Sequence, residues 1–154
     1  MVAGMTITEI TERLLKNLRE EIDLYHQITE FTRQQRKAID ETDIKSLLNC
    51  VQEKANIINQ IKKIDEALLP FRDEWKKRKA EMSEYSRKQC EKYVGELSVI
   101  LEKLMQLEGE NEKLLADRVK KLEKDMANIQ KGKQAHKSYF KNNNLEAQYI
   151  DKKK

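Results

Sequence analysis

The sequence predicts an all-α protein: an elongated antiparallel three-helix bundle or coiled coil, followed by a flexible C-terminal tail. Three observations predict it. Apolar residues recur three and four positions apart through three long stretches, the period of a one-faced helix. Of 154 residues, 38% are hydrophobic and 38% charged, with one Pro and four Gly. That is the composition of extended helices, which have much surface and a narrow core. Two polar interruptions, at Asp40–Asp43 and between Ala80 and Ser86, divide the periodic pattern into three.

The first helix is expected over about 8–39. Thr8 or Thr6 can cap it, Thr6 forming a capping box with Glu9. Residues Met1–Thr6 are expected to fray. Ile10, Leu14, Leu18, Ile22, Tyr25, Ile28 and Phe31 make its apolar stripe. Glu9 and Glu12 lie early, and Arg33, Arg36 and Lys37 late, as the helix dipole favours. Asp40-Glu41-Thr42-Asp43 offers short polar acceptors and no apolar anchor, so a tight reversal into an antiparallel hairpin is expected there.

The second helix is expected over about 43–81, with a kink or break near Pro70, which lacks a backbone donor and disfavours helix at Leu69. Its stripe runs Ile44, Leu47, Leu48, Val51, Ile57, Ile58, Ile61, Ile64 and Leu68. Phe71 and Trp75, one turn apart beside Pro70, either close the end of the bundle or offer an exposed anchor. The second reversal is expected between Ala80 and Ser86, capped by Ser83 or Ser86.

The third helix, expected over about 86–131, carries the longest stripe, from Tyr93 to Ile129. A helix with one apolar face over about 55 Å needs partners along that face. Asn111 falls on the stripe, where it either fixes register inside the bundle or turns to the rim. Gly95 and Gly109 are weak points or places of close approach, and Gly132 is a natural terminator. The bundle domain is thus 1–132, and 133–154 is a flexible tail with isolated apolar residues.

Charge and motifs narrow the function classes. Residues 1–70 carry 10 Lys+Arg against 12 Asp+Glu, residues 71–131 carry 15 against 13, and residues 132–154 carry 6 against 2. The three parts sum to the net +4, and the excess lies in the tail. A neutral helical body argues against a nucleic-acid binder, in spite of Lys76-Lys77-Arg78-Lys79. No apolar run approaches the roughly 18 residues of a membrane span, and no leader pattern is visible, so a cytoplasmic protein is expected. Cys50 and Cys90 fall on distant parts of the pattern and read as unbonded, inert thiols. Asp23 and His26 could share a metal, but one pair is too few ligands, so no metal and no cofactor are expected. No catalytic constellation or phosphate loop is present, and no enzyme activity is expected.

Three motifs carry a resemblance to a known family. They are Glu53-Lys54-Ala55-Asn56-Ile57-Ile58-Asn59-Gln60-Ile61, then Glu110-Asn111-Glu112-Lys113-Leu114-Leu115, then Gly132 followed by Tyr139 and Tyr149-Ile150-Asp151-Lys152-Lys153. In this order and spacing the chain resembles the FlgN family of flagellar export chaperones over about 8–154, with nothing in Asp65–Arg87 contributing. The resemblance implies a cytosolic chaperone that binds hook–filament junction subunits (FlgK and FlgL types), keeps them soluble and delivers them to the type III export gate. It implies client binding by the end of the long helix and the tail. It also implies docking on the cytosolic domain of the gate through a tail aromatic, Tyr139 first and Tyr149 second. The residues agree with such a role: Leu114, Leu115, Val119, Leu122, Met126 and Ile129 are expected to accept a client's amphipathic helix by the helix-in-groove mode, with Met126 the adaptable member. The competing occupants of that stripe are the chain's own first two helices or another copy of the chain, giving a homo-oligomer. The rival readings are a coiled-coil adaptor without a client and a chaperone for another flagellar subunit, such as the filament cap.

Overall fold

Thr6 begins the first long helix. Its Oγ1 accepts the Glu9 N–H at 3.1 Å, satisfying one of the amide donors a helix start leaves open. The helix it caps, α1, spans Ile7–Asp40. In this computed structural model the backbone is described for residues 2–153 and the side chains for residues 2–138. Helix α2 spans Ile44–Arg78, and helix α3 spans Glu84–Lys153. No strand occurs among the described residues, and the chain is a helical bundle of three helices.

Residues 2–6, ahead of α1, are not frayed. Val2–Gly4 form a 3-10 turn, and Val2 and Met5 pack on the core of Ile10, Leu14 and Leu68. Arg78 Nη1 donates to the Met5 carbonyl at 2.7 Å, tying this turn to the end of α2. The apolar character of Val2 and Met5, rather than their place at the terminus, decides their fate.

Asp43 caps α2, accepting the Ser46 N–H at 3.1 Å and the Ser46 hydroxyl at 2.7 Å. These bonds hold its carboxyl below the usual carboxylate range. Thr42 turns the chain at φ 54, a left-handed conformation costly for a β-branched residue. The Asp43 N–H donates to the Ala38 carbonyl at 2.8 Å and closes the hairpin.

Helix α2 is not broken at Pro70. The ring lies on an exposed position, and α-helix continues to Arg78. Leu68 before it is buried, while Phe71 and Trp75 after it pack on the same core, so tertiary contacts hold both sides of the missing hydrogen bond. The second reversal is a 3-10 turn, Lys79–Glu81, followed by extended Met82. Ser83 Oγ then accepts the Ser86 N–H at 3.2 Å, and α3 begins at Glu84.

Helix α3 does not end at Gly132; it runs on to Lys153. Glycine favours a helix end only where the chain needs φ above zero, and no glycine here has it. Lys131, Lys133, Gln134 and Ala135 around it are good helix formers. A Cβ at Gly95, Gly109 or Gly132 would meet open space, so none marks a close helix approach.

The chain divides into two units, Met1–Lys113 and Leu114–Lys154. In the first, α1 and α2 pack as an antiparallel pair, and α3 lies antiparallel to α2. Ile28, Ile57, Ile61 and Leu104 form one core, and Ile10, Leu14 and Leu68 form the other. The inward row of α2 is a seven-residue repeat: Leu47, Cys50, Lys54, Ile57, Ile61, Ile64 and Leu68. The second unit is a single helical segment.

Candidate functional site

The two cores are separated and flanked by polar groups that hold the three helices in one register. On α3, Asn111 is 3% exposed, and its Nδ2 donates to the Thr32 carbonyl of α1 at 2.9 Å. Of the two expectations for Asn111, burial is the one realised. The Thr32 hydroxyl donates to the Ile28 carbonyl at 2.8 Å and lies 3.1 Å from Glu108 Oε1. Lys54 of α2 enters the apolar seam, where its ammonium pairs with Glu108 and donates to Gln35 Oε1 at 2.9 Å. Arg36 and Glu110 add a rim pair at 2.9 Å. A one-turn slip of any helix would strand buried donors and acceptors, each at about 1–3 kcal/mol, so this cluster selects alignment.

A second polar group lies toward the other end. Glu21 of α1 is 3% exposed, with Asp65 and Arg72 of α2 beside it. Burial, then the hydrogen bond and repulsion from Asp65, push its pKa up to about 8, against the pull of Arg72. Arg72 Nη2 is 3.0 Å from Asp65 Oδ1 but 3.9 Å from Glu21 Oε1, which has no hydrogen-bond partner. Glu21 is therefore a neutral acid at neutral pH, and it contacts no group on which it could do chemistry.

Exposed apolar rows are the features that look outward. Leu115, Val119, Leu122, Met126 and Ile129 are 40–68% exposed, and Leu114 is half-buried. Their steps of four, three, four and three keep the five exposed residues in one line on the helix. A second row, on α2, was missed by sequence reasoning. Ile44, Leu48, Val51 and Ile58 are exposed, although periodicity assigned them to the core stripe. The signal was available: Leu47-Leu48 and Ile57-Ile58 are doublets, and a doublet on a helix serves two adjacent rows, of which only one can face the core. Similarly, Val94 on α3 is exposed, while Tyr93 and Leu97 are half-buried.

Phe71 and Trp75 take the bundle-closing role: both are half-buried on the core of Ile10, Leu14 and Leu68, and Arg13 stacks 5.5 Å from the Phe71 ring centre. Cys50 and Cys90 are unbonded and buried, and burial pushes both thiols up, away from reactive thiolate. Asp23 and His26 are exposed on α1, and no cluster of three metal-ligating side chains occurs among the described residues. No helix among them is long and apolar enough to cross a membrane. Tyr139 and Tyr149 fall on α3, but their side chains lie outside the described residues.

Each exposed apolar row, on its own helix, is suited to binding another helix. The family comparison agrees: the model of the family described as FlgN protein matches residues 5–147. The chain belongs to the FlgN family. These are flagellar export chaperones, proteins of flagellum assembly rather than enzymes. No curated protein and no solved structure matches the chain.

Proposed function

We propose that this FlgN-family chain is a cytosolic chaperone for hook–filament junction subunits of the FlgK and FlgL types. It holds a client's terminal helix along Leu114, Leu115, Val119, Leu122, Met126 and Ile129. The observation that carries the reading is the exposed line from Leu115 to Ile129. Five large aliphatic or thioether groups in a row on one helix offer anchors at the spacing a guest amphipathic helix requires. A junction subunit's terminal helices expose such a face before assembly, and covering it keeps the subunit from aggregating.

Delivery follows from the tail. Tyr139 and, second, Tyr149 dock on the cytosolic domain of the export gate, and the basic excess of residues 132–154 assists encounter with an acidic surface. The test of client binding is co-purification and titration with the Leu122→Asp, Met126→Asp double variant. Each Asp places a charge where an apolar anchor should sit, so client affinity is expected to fall by about a hundredfold with helicity unchanged. Undiminished client binding by the helical variant overturns the reading. The same titration across junction and cap subunits separates this client class from the filament cap, and failure with every subunit favours a client-free coiled-coil adaptor.

A further inference from the structure

A groove in the first unit is separate from the row proposed for clients. Its floor is Leu14 and Leu18 of α1, one wall is Leu68 and Trp75 of α2, and the other is Cys90 and Val94 of α3. A second hollow, over the α2–α3 turn, shares Trp75, Cys90 and Val94 with it. The two have volumes of about 310 and 470 Å³. Their α3 side follows helical steps from Arg87 through Cys90 and Val94 to Leu97. That is ten helical steps, or about 15 Å of helix, room for two to three turns of a guest helix.

The rim is predominantly basic. Arg72, Lys76, Lys79 and Arg87 line the two hollows against a single carboxylate, Glu91. Arg72 is engaged by Asp65, but Lys76, Lys79 and Arg87 form no ion pair among the described residues. An apolar trough edged by more cations than carboxylates matches a guest that carries apolar anchors flanked by carboxylates. The chain's own tail has the wrong sign, with 6 Lys against 2 acids over residues 132–154.

We propose that the Trp75–Val94 groove is a second docking site, for an acidic amphipathic helix of a partner protein. Its apolar face enters between α2 and α3, and its carboxylates meet Lys76, Lys79 and Arg87. The site works independently of the Leu115–Ile129 row, so a chaperone carrying a client on that row can be held by another protein here.

Trp75 is the chain's one tryptophan and lines both hollows, so its emission reports occupancy directly. The full chain is titrated with a synthetic helical peptide of about fifteen residues, with Leu at i, i+3, i+4 and i+7 and Glu beside them. The same peptide with Lys for Glu is the control. A saturable shift of Trp75 emission is expected with the acidic peptide, about tenfold tighter than with the basic one and weakening with salt. Val94→Glu, at an exposed wall position, should abolish the shift. Arg87→Glu, on the exposed rim, should weaken binding by about tenfold and serves if the first variant loses helicity. The Leu122→Asp, Met126→Asp variant should bind the acidic peptide as the parent does, which separates this site from the client row. Equal affinity for the two peptides, binding unaffected by both groove variants, or a shift that follows self-association without peptide would each overturn the proposal.

Discussion

Replacing Glu21 by Gln should flatten a pH dependence that the parent chain shows. Glu21 sits 3% exposed on α1, with an ordinary value of 4.5 raised to about 8, chiefly by burial. The folded state therefore holds a proton that the unfolded chain releases near pH 4.5. The stability this proton supplies is complete below about pH 4.5 and is lost as pH rises through about 8. A difference of 8 − 4.5 pH units at about 1.4 kcal/mol each sets a ceiling near 5 kcal/mol. Asp65 and Arg72, the two partners, have side chains 43% and 42% exposed, so solvent reaches the cluster and screens it. About 2 kcal/mol is the expected loss between pH 5.5 and 8.5. Gln keeps the shape and neutrality of the protonated acid, so the variant should lose little over that interval. Urea unfolding followed by far-UV circular dichroism at closely spaced pH values measures both. Parallel pH profiles for parent and variant would refute the assignment of a buried neutral acid, since every other titrating group is common to the two.

Other outcomes follow from the same contacts. Lys54→Met removes a cation from Gln35 and Glu108, but Glu108 keeps access to water at 38% exposure, so the loss should be about 1–2 kcal/mol rather than the 3–5 of a sealed pair. Leu68→Ala, at a residue 1% exposed in the core of Ile10 and Leu14, should cost about 3 kcal/mol in the same unfolding assay. Gly95→Ala and Gly109→Ala should each add about 1 kcal/mol, because the new methyl meets nothing and the helix gains propensity. A destabilised Gly109→Ala would mean that α3 approaches a neighbour more closely than its open surroundings allow.

Much of the bundle is legible in the sequence because its signals are local. Thr6, Asp43 and Ser83 each accept an amide from three residues ahead, and short polar residues before an apolar stripe announce that geometry. The break weighed at Pro70 and the helix end expected at Gly132 did not occur, for the opposite reason. Each disfavours helix by an amount that depends on what else holds the segment: Phe71 and Trp75 hold α2 beyond Pro70. The polar interior was the least legible part. Asn17, Glu21, Thr29 and Thr32 are buried on α1 beside the aliphatics that periodicity does find. A polar residue at a core position carries no hydropathy signal, and its partners, as Glu108 and Asn111 are for Thr32, lie more than seventy residues away. The width of the α2 apolar face was legible, but not which half would be covered, since that depends on where α3 lies. The row at Leu115–Ile129 was expected as an acceptor before the fold was known, whereas the row at Ile44–Ile58 was found as a stripe from spacing and recognised as open surface only with the fold.

The line from Leu115 to Ile129 spans fourteen steps in two sevens, whereas a straight α-helix completes its turn every 3.6 residues. It therefore slews by about 40° around the cylinder over a rise of about 21 Å. A straight rod laid on it parts company within a few turns, so a passenger must wind left-handedly to keep all five contacts. Grip is thereby limited to a short, coiling segment, and release can begin by letting that segment straighten.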